Sequence, residues 1–141
     1  MYKTEQNTPL NAVDIERLPD GKTRVILRDN LATEVRSEEG VEYTVYTADE
    51  VAFITSEEIT PEYADEHFAD LWYYAENGET RDEKYARLVD AYVREKYSQS
   101  AVEAIINNYL SDPENEKYKA EFAALQLYRE ECKAKAKTEV Y

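Results

Sequence analysis

Residues 23–36 read Thr23-Arg24-Val25-Ile26-Leu27-Arg28-Asp29-Asn30-Leu31-Ala32-Thr33-Glu34-Val35-Arg36. In the first six, Val25 and Leu27 fall on one face and Arg24, Ile26 and Arg28 on the other, which is the period of a β-strand. Asp29-Asn30 interrupts the alternation, and Leu31 to Arg36 reads as a second, weaker strand. Upstream, Ala12 to Arg17 is another short alternation. It is joined by Pro19-Asp20-Gly21-Lys22, a turn in which Pro presets φ and Gly accepts a positive one. Downstream, Ser37-Glu38-Glu39-Gly40 reads as a turn, and Val41, Tyr43 and Val45 share a strand face. Thr47-Ala48-Asp49-Glu50 turns again, and Val51 to Thr55 closes the series. About five short strands with local turns predict an antiparallel β meander over residues 1–58.

From Thr60 the period changes from two to 3.6. Thr60-Pro61 is an N-cap followed by Pro at the first helical position. Ala64, His67, Phe68, Leu71, Trp72 and Ala75 then mark one apolar face of a single helix that ends at Asn77-Gly78. Thr80-Arg81-Asp82-Glu83 is a capping box for a second helix with Tyr85, Leu88, Val89 and Tyr92 inward. Ser98 or Ser100 caps a third, with Val102, Ile105, Ile106, Tyr109 and Leu110 inward. A fourth runs from about Asn115 to Lys137, with Tyr118, Phe122, Leu125 and Cys132 on one side. The chain is therefore expected to be α+β: the meander over 1–58, then four α-helices over 59–141 sharing one core with the sheet.

Thirteen of the fourteen net negative charges lie between Ser37 and Thr80, an interval with no Lys and no Arg. Such a field repels nucleic acid and anionic membrane and attracts basic protein surfaces, so direct nucleic-acid binding and membrane binding are not expected. No apolar run is long enough for a membrane helix. A lone cysteine, Cys132, allows no disulfide within the chain and fits a reducing compartment. The chain is expected to be intracellular, or delivered by assembly rather than secretion, and a homo-oligomer is allowed. Thirteen of seventeen aromatic residues are Tyr. Tyr suits positions with a packed ring and a wet hydroxyl, so most are expected at the rim of the core.

Catalytic chemistry finds little support. His67 is the only histidine, and Asp65 and Glu66 beside it point to other helix faces, so it reads as a border residue of the core rather than a ligand. Cys132 lacks a visible activating base and reads as a small buried filler. Asp112-Pro113-Glu114-Asn115-Glu116 lacks the central Gly and the twelfth-position Glu of a calcium loop. No metal, cofactor or catalytic residue is expected. The acidic face of the first helix is more specific. On a continuous helix Glu62, Asp65, Glu66, Asp70 and Glu76 fall within an arc of about 140° opposite the apolar stripe, with Tyr73 among them. These six residues are the candidate docking surface for a basic partner, with Tyr73 as its aromatic anchor. A rival reading is nucleic-acid mimicry. Duplex DNA carries a charge every 1.7 Å or so, and thirteen carboxylates match about 22 Å of it.

Two stretches carry a resemblance. One is Thr23 to Leu31, followed by a Tyr-rich acidic strand pair and Ile59-Thr-Pro-Glu-Tyr-Ala-Asp-Glu-His-Phe-Ala-Asp-Leu-Trp72. The other is Val93-Arg-Glu-Lys-Tyr-Ser98, with Ala101 to Ile106 and Tyr128-Arg-Glu-Glu-Cys-Lys-Ala-Lys135 after it. In these the chain resembles small proteins encoded near the tail and tail-fibre genes of phages and prophages of Gram-positive gut bacteria. The resemblance implies a non-enzymatic accessory or structural protein acting through protein contacts, associated with the tail and located in the host cytoplasm or the virion. The alternative is an acidic inhibitor of a host defence nuclease, of the anti-restriction or anti-CRISPR type.

Overall fold

The computed structural model describes all 141 residues. The chain is α+β, with four strands followed by five helices: β1 (Tyr2–Gln6), β2 (Val13–Arg17), β3 (Thr23–Glu38), β4 (Val41–Thr55), α1 (Pro61–Glu66), α2 (Phe68–Asn77), α3 (Arg81–Arg94), α4 (Gln99–Ser111) and α5 (Glu116–Val140). It divides into two compact units, Met1–Thr80 and Arg81–Tyr141.

In the first unit the strands form one antiparallel sheet in the order β1-β4-β3-β2. The expected five strands become three because two expected breaks are not breaks, and β1 adds a fourth. Asn30-Leu31 is a bulge opposite Ala48, between the pairs Asp29↔Asp49 and Ala32↔Thr47, so residues 23–38 run on as one strand. Asn30 takes the positive φ (52°), a region Asn tolerates, and its side chain bonds Asp49 at 2.8 Å. Thr47 to Glu50 does not turn; these residues pair with β1 on one side and β3 on the other. The strand over Tyr2–Gln6 carried no sequence signal of its own. The turn at Ser37–Gly40 is present, with Glu39 and Gly40 both at positive φ (51° and 80°), the backbone of a two-residue primed hairpin.

One face of the sheet carries Val25, Leu27 and Val51, fully or nearly fully buried. Ile59 and Ala64 complete the cluster, and Phe68, Leu71, Trp72 and Ala75 pack against it, as their helical spacing predicted. The two helices after β4 thus belong with the sheet, and the compact unit ends at Thr80 rather than at residue 58. They are two because His67 leaves helical geometry (φ −112°, ψ 24°) where its ring packs on Tyr63 at 4.2 Å. Thr60 caps α1 as expected, accepting from the Tyr63 N–H at 3.1 Å.

On the other face the segment 7–12 must cross β4 and β3 to join β1 to β2. Arg28 pins the crossing. Its guanidinium donates to the Asn11 carbonyl at 3.0 Å, its Nε to Glu50 at 2.7 Å, and its Nη1 also reaches Asp14. The Tyr2 hydroxyl donates to Glu50 as well.

The second unit builds its own cluster from Val93, Val102, Leu125 and Cys132, with Tyr92, Tyr97, Ile105, Ile106 and Tyr128 against it. Ser98 caps α4, accepting from Ala101 at 3.0 Å, and Asn115 caps α5, accepting from Lys117 and Tyr118. Leu110 does not face inward: it is 68% exposed, because Tyr109 beside it fills the contact by stacking on Phe122 at 4.2 Å. Nine of the thirteen Tyr are half-buried, the state expected of them.

Candidate functional site

The thirteen carboxylates of residues 37–80 do not form one belt. Glu38, Glu39 and Glu42 sit at the tip of the β3–β4 hairpin. Asp49 and Glu50 are buried mid-strand and are neutralised, Asp49 by Lys3 at 2.9 Å and Glu50 by Arg28. Bases from the first 36 residues reach these two because β4 lies between β1 and β3. The other eight follow β4, and seven of them, Glu57, Glu58, Glu62, Asp65, Glu66, Asp70 and Glu76, are exposed. Thirteen residues separate Glu42 from Thr55, so at about 3.3 Å per residue the tip group stands roughly 40 Å along β4 from the second group. Sequence position alone could not separate them, since the separation depends on residues 41–55 forming one unbroken strand.

The candidate docking residues divide accordingly. Glu62, Asp65 and Glu66 are on α1, and Asp70, Tyr73 and Glu76 are on α2. The non-helical residue at 67 interrupts the 100° advance, so the single arc drawn from a continuous helix does not apply across it. Tyr73 is half-buried and its hydroxyl oxygen is shielded from solvent, so it is a packing residue and not a protruding anchor. Glu76 accepts the Trp72 indole N–H at 3.0 Å, which ties one carboxylate to the helix surface.

The perturbed acids lie elsewhere, on the sheet. Arg28 holds the Asp14 carboxyl below the usual carboxylate range. The Asn30 amide and then Lys3 do the same for Asp49. These shifts follow from charge-assisted hydrogen bonds and read as structural ion pairing. No group of three or more His, Cys, Asp and Glu side chains is arranged to hold a metal ion. Cys132 is buried in the helical cluster. Asn115, in the stretch resembling a calcium loop, spends its side chain on capping α5. No helix is long and apolar enough to cross a membrane.

What fold and site define is a small α+β protein with a two-helix segment, acidic on its exposed side, packed on an antiparallel sheet. The chain matches no protein family, no curated protein and no solved structure.

Proposed function

We propose that this is a non-enzymatic binding protein whose α1–α2 segment docks on a basic protein surface, in the setting that the resemblance implies: an accessory or structural protein of a phage or prophage, associated with the tail. The observation that carries the reading is the seven exposed carboxylates within residues 57–76, in an interval from 37 to 80 without a single Lys or Arg. A concentration of charge of one sign on a helical segment raises encounter rates with a surface of the opposite sign and penalises partners of like charge. The same density is costly to keep at a surface used for nothing, because the carboxylates repel one another.

The test is capture on the immobilised chain from phage-infected host cells, at about 50 and about 500 mM NaCl. A basic partner is retained at low salt and released at high salt, since exposed charges separated by more than a Debye length are screened. The triple variant Glu62→Lys, Glu66→Lys, Asp70→Lys should lose it. Retention by that variant at undiminished level overturns the reading. Release of a captured nuclease by duplex DNA would instead support the nucleic-acid-mimic alternative.

A further inference from the structure

We infer that the second unit carries a binding groove for a small amphipathic anion, an aliphatic chain ending in one carboxylate. The groove lies among α3, α4 and α5 and has a volume of about 270 Å³. Its floor includes Val89, Val93 and Val102, and its polar lining is cationic: Arg94, Arg129 and Lys133, against one acid, Asp90. That volume lies just under the roughly 300–1,000 Å³ of ordinary small-molecule sites, which limits the ligand to a short chain.

The charges of the groove are not balanced from within. Lys133 pairs with Glu130 at 2.8 Å, and Arg94 Nη2 takes up Asp90 at 3.1 Å and also reaches Gln99. Arg94 Nη1 is buried and has no acceptor. Arg129 is half-buried and has no counter-ion or hydrogen-bond acceptor. Arg94 Nη1 is out of reach of the groove, so the charge open to a ligand is Arg129, and a half-buried Arg beside apolar side chains gains most from a desolvated anion. An uncharged apolar ligand would fill the floor and leave the Arg129 guanidinium without a counter-ion. A small anion without a chain would leave the valines in water. Only the combination answers the whole groove. The inference is independent of the acidic segment of the first unit, so either can fail without the other.

Octanoate is the probe, titrated into the full-length chain by calorimetry and by amide NMR. Octanol supplies the same chain without the charge, and acetate the charge without the chain. The expected result is saturable 1:1 binding of octanoate, at least tenfold tighter than either control, with shifts concentrated at Val89, Val93, Arg94 and Val102. Arg129→Gln removes a group that no other residue uses, so the fold persists, as circular dichroism and the melting temperature will report; octanoate affinity falls about tenfold. Val89→Phe, which fills the groove, weakens octanoate and octanol alike. Octanoate that binds no tighter than octanol, that fails to saturate, or that ignores Arg129→Gln in a folded variant overturns the proposal.

Discussion

Replacing Arg28 by Ala leaves Glu50, which is only 6% exposed, beside a Tyr hydroxyl and without a cation. Breaking one side of a buried pair is costly because the remaining charge stays out of water, so Arg28→Ala should lower the unfolding free energy by about 3–5 kcal/mol in urea titrations. The double change Arg28→Met, Glu50→Leu should recover most of that loss, since it removes both charges. Acid has a related effect. Asp14 and Asp49 are held below their ordinary range when folded. A depressed carboxyl stabilises the fold above its unfolded pKa, near 3.9, and that contribution vanishes as the pH falls through the lower folded value. The urea midpoint should therefore hold level through these two groups from pH 7 to about 5 and fall below about pH 4. In Arg28→Ala the fall should be shallower, because Asp14 has lost the partner that lowered it. Cys132, buried at 4% exposure, should react with a thiol reagent at the rate of unfolding and not of diffusion. A fast native reaction would show that the α3–α5 packing opens readily.

Among the elements, the β3–β4 hairpin is governed by its two-residue turn. Glu39 sits at φ 51°, where a primed hairpin turn wants Asn, Asp or Gly. Glu39→Asn gives Asn-Gly and should stabilise the chain by about 1 kcal/mol, the order of the left-handed penalty for an ordinary residue. Asn115→Ala should cost about 1 kcal/mol, since one side chain serves two amide donors at the start of α5. Both are read from thermal or urea unfolding of purified variants. Most element types were legible in the sequence, because period and caps are local: Thr60 and Ser98 cap as their positions announce, and α5 begins beside Asn115 as its pattern does. The misreadings share a cause. Asp29-Asn30 and Thr47 to Glu50 are polar and turn-like, yet strand pairing runs through 47–50 and resumes on both sides of the bulge at Asn30, so the ladder overrides the local preference.

On the scale of the whole molecule, charge is divided as unevenly as the fold. Residues 1–36 balance, residues 37–80 add thirteen acids and no base, and residues 81–141 hold twelve acids and eleven bases. The unit Met1–Thr80 therefore carries −13 and the unit Arg81–Tyr141 carries −1. Self-repulsion in the first unit should be relieved by salt, so the melting temperature should rise between about 20 and about 500 mM NaCl. A fall would mean that the ion pairs of Arg28 and Lys3 outweigh the repulsion.

The amino-acid sequence by itself determined the class of fold, the helix starts, the apolar faces and the one-sided charge of the middle third, because each is written in residues close together along the chain. Only the tertiary structure decided which carboxylates face water. Placing β4 between β1 and β3 brings Lys3 and Arg28 to Asp49 and Glu50, and a single long strand carries Glu38, Glu39 and Glu42 away from the other acids. The groove cations Arg94 and Arg129 are likewise 35 positions apart and meet only because α3 packs on α5. Pairing across such separations depends on which strand or helix lies beside which, and no local pattern encodes that.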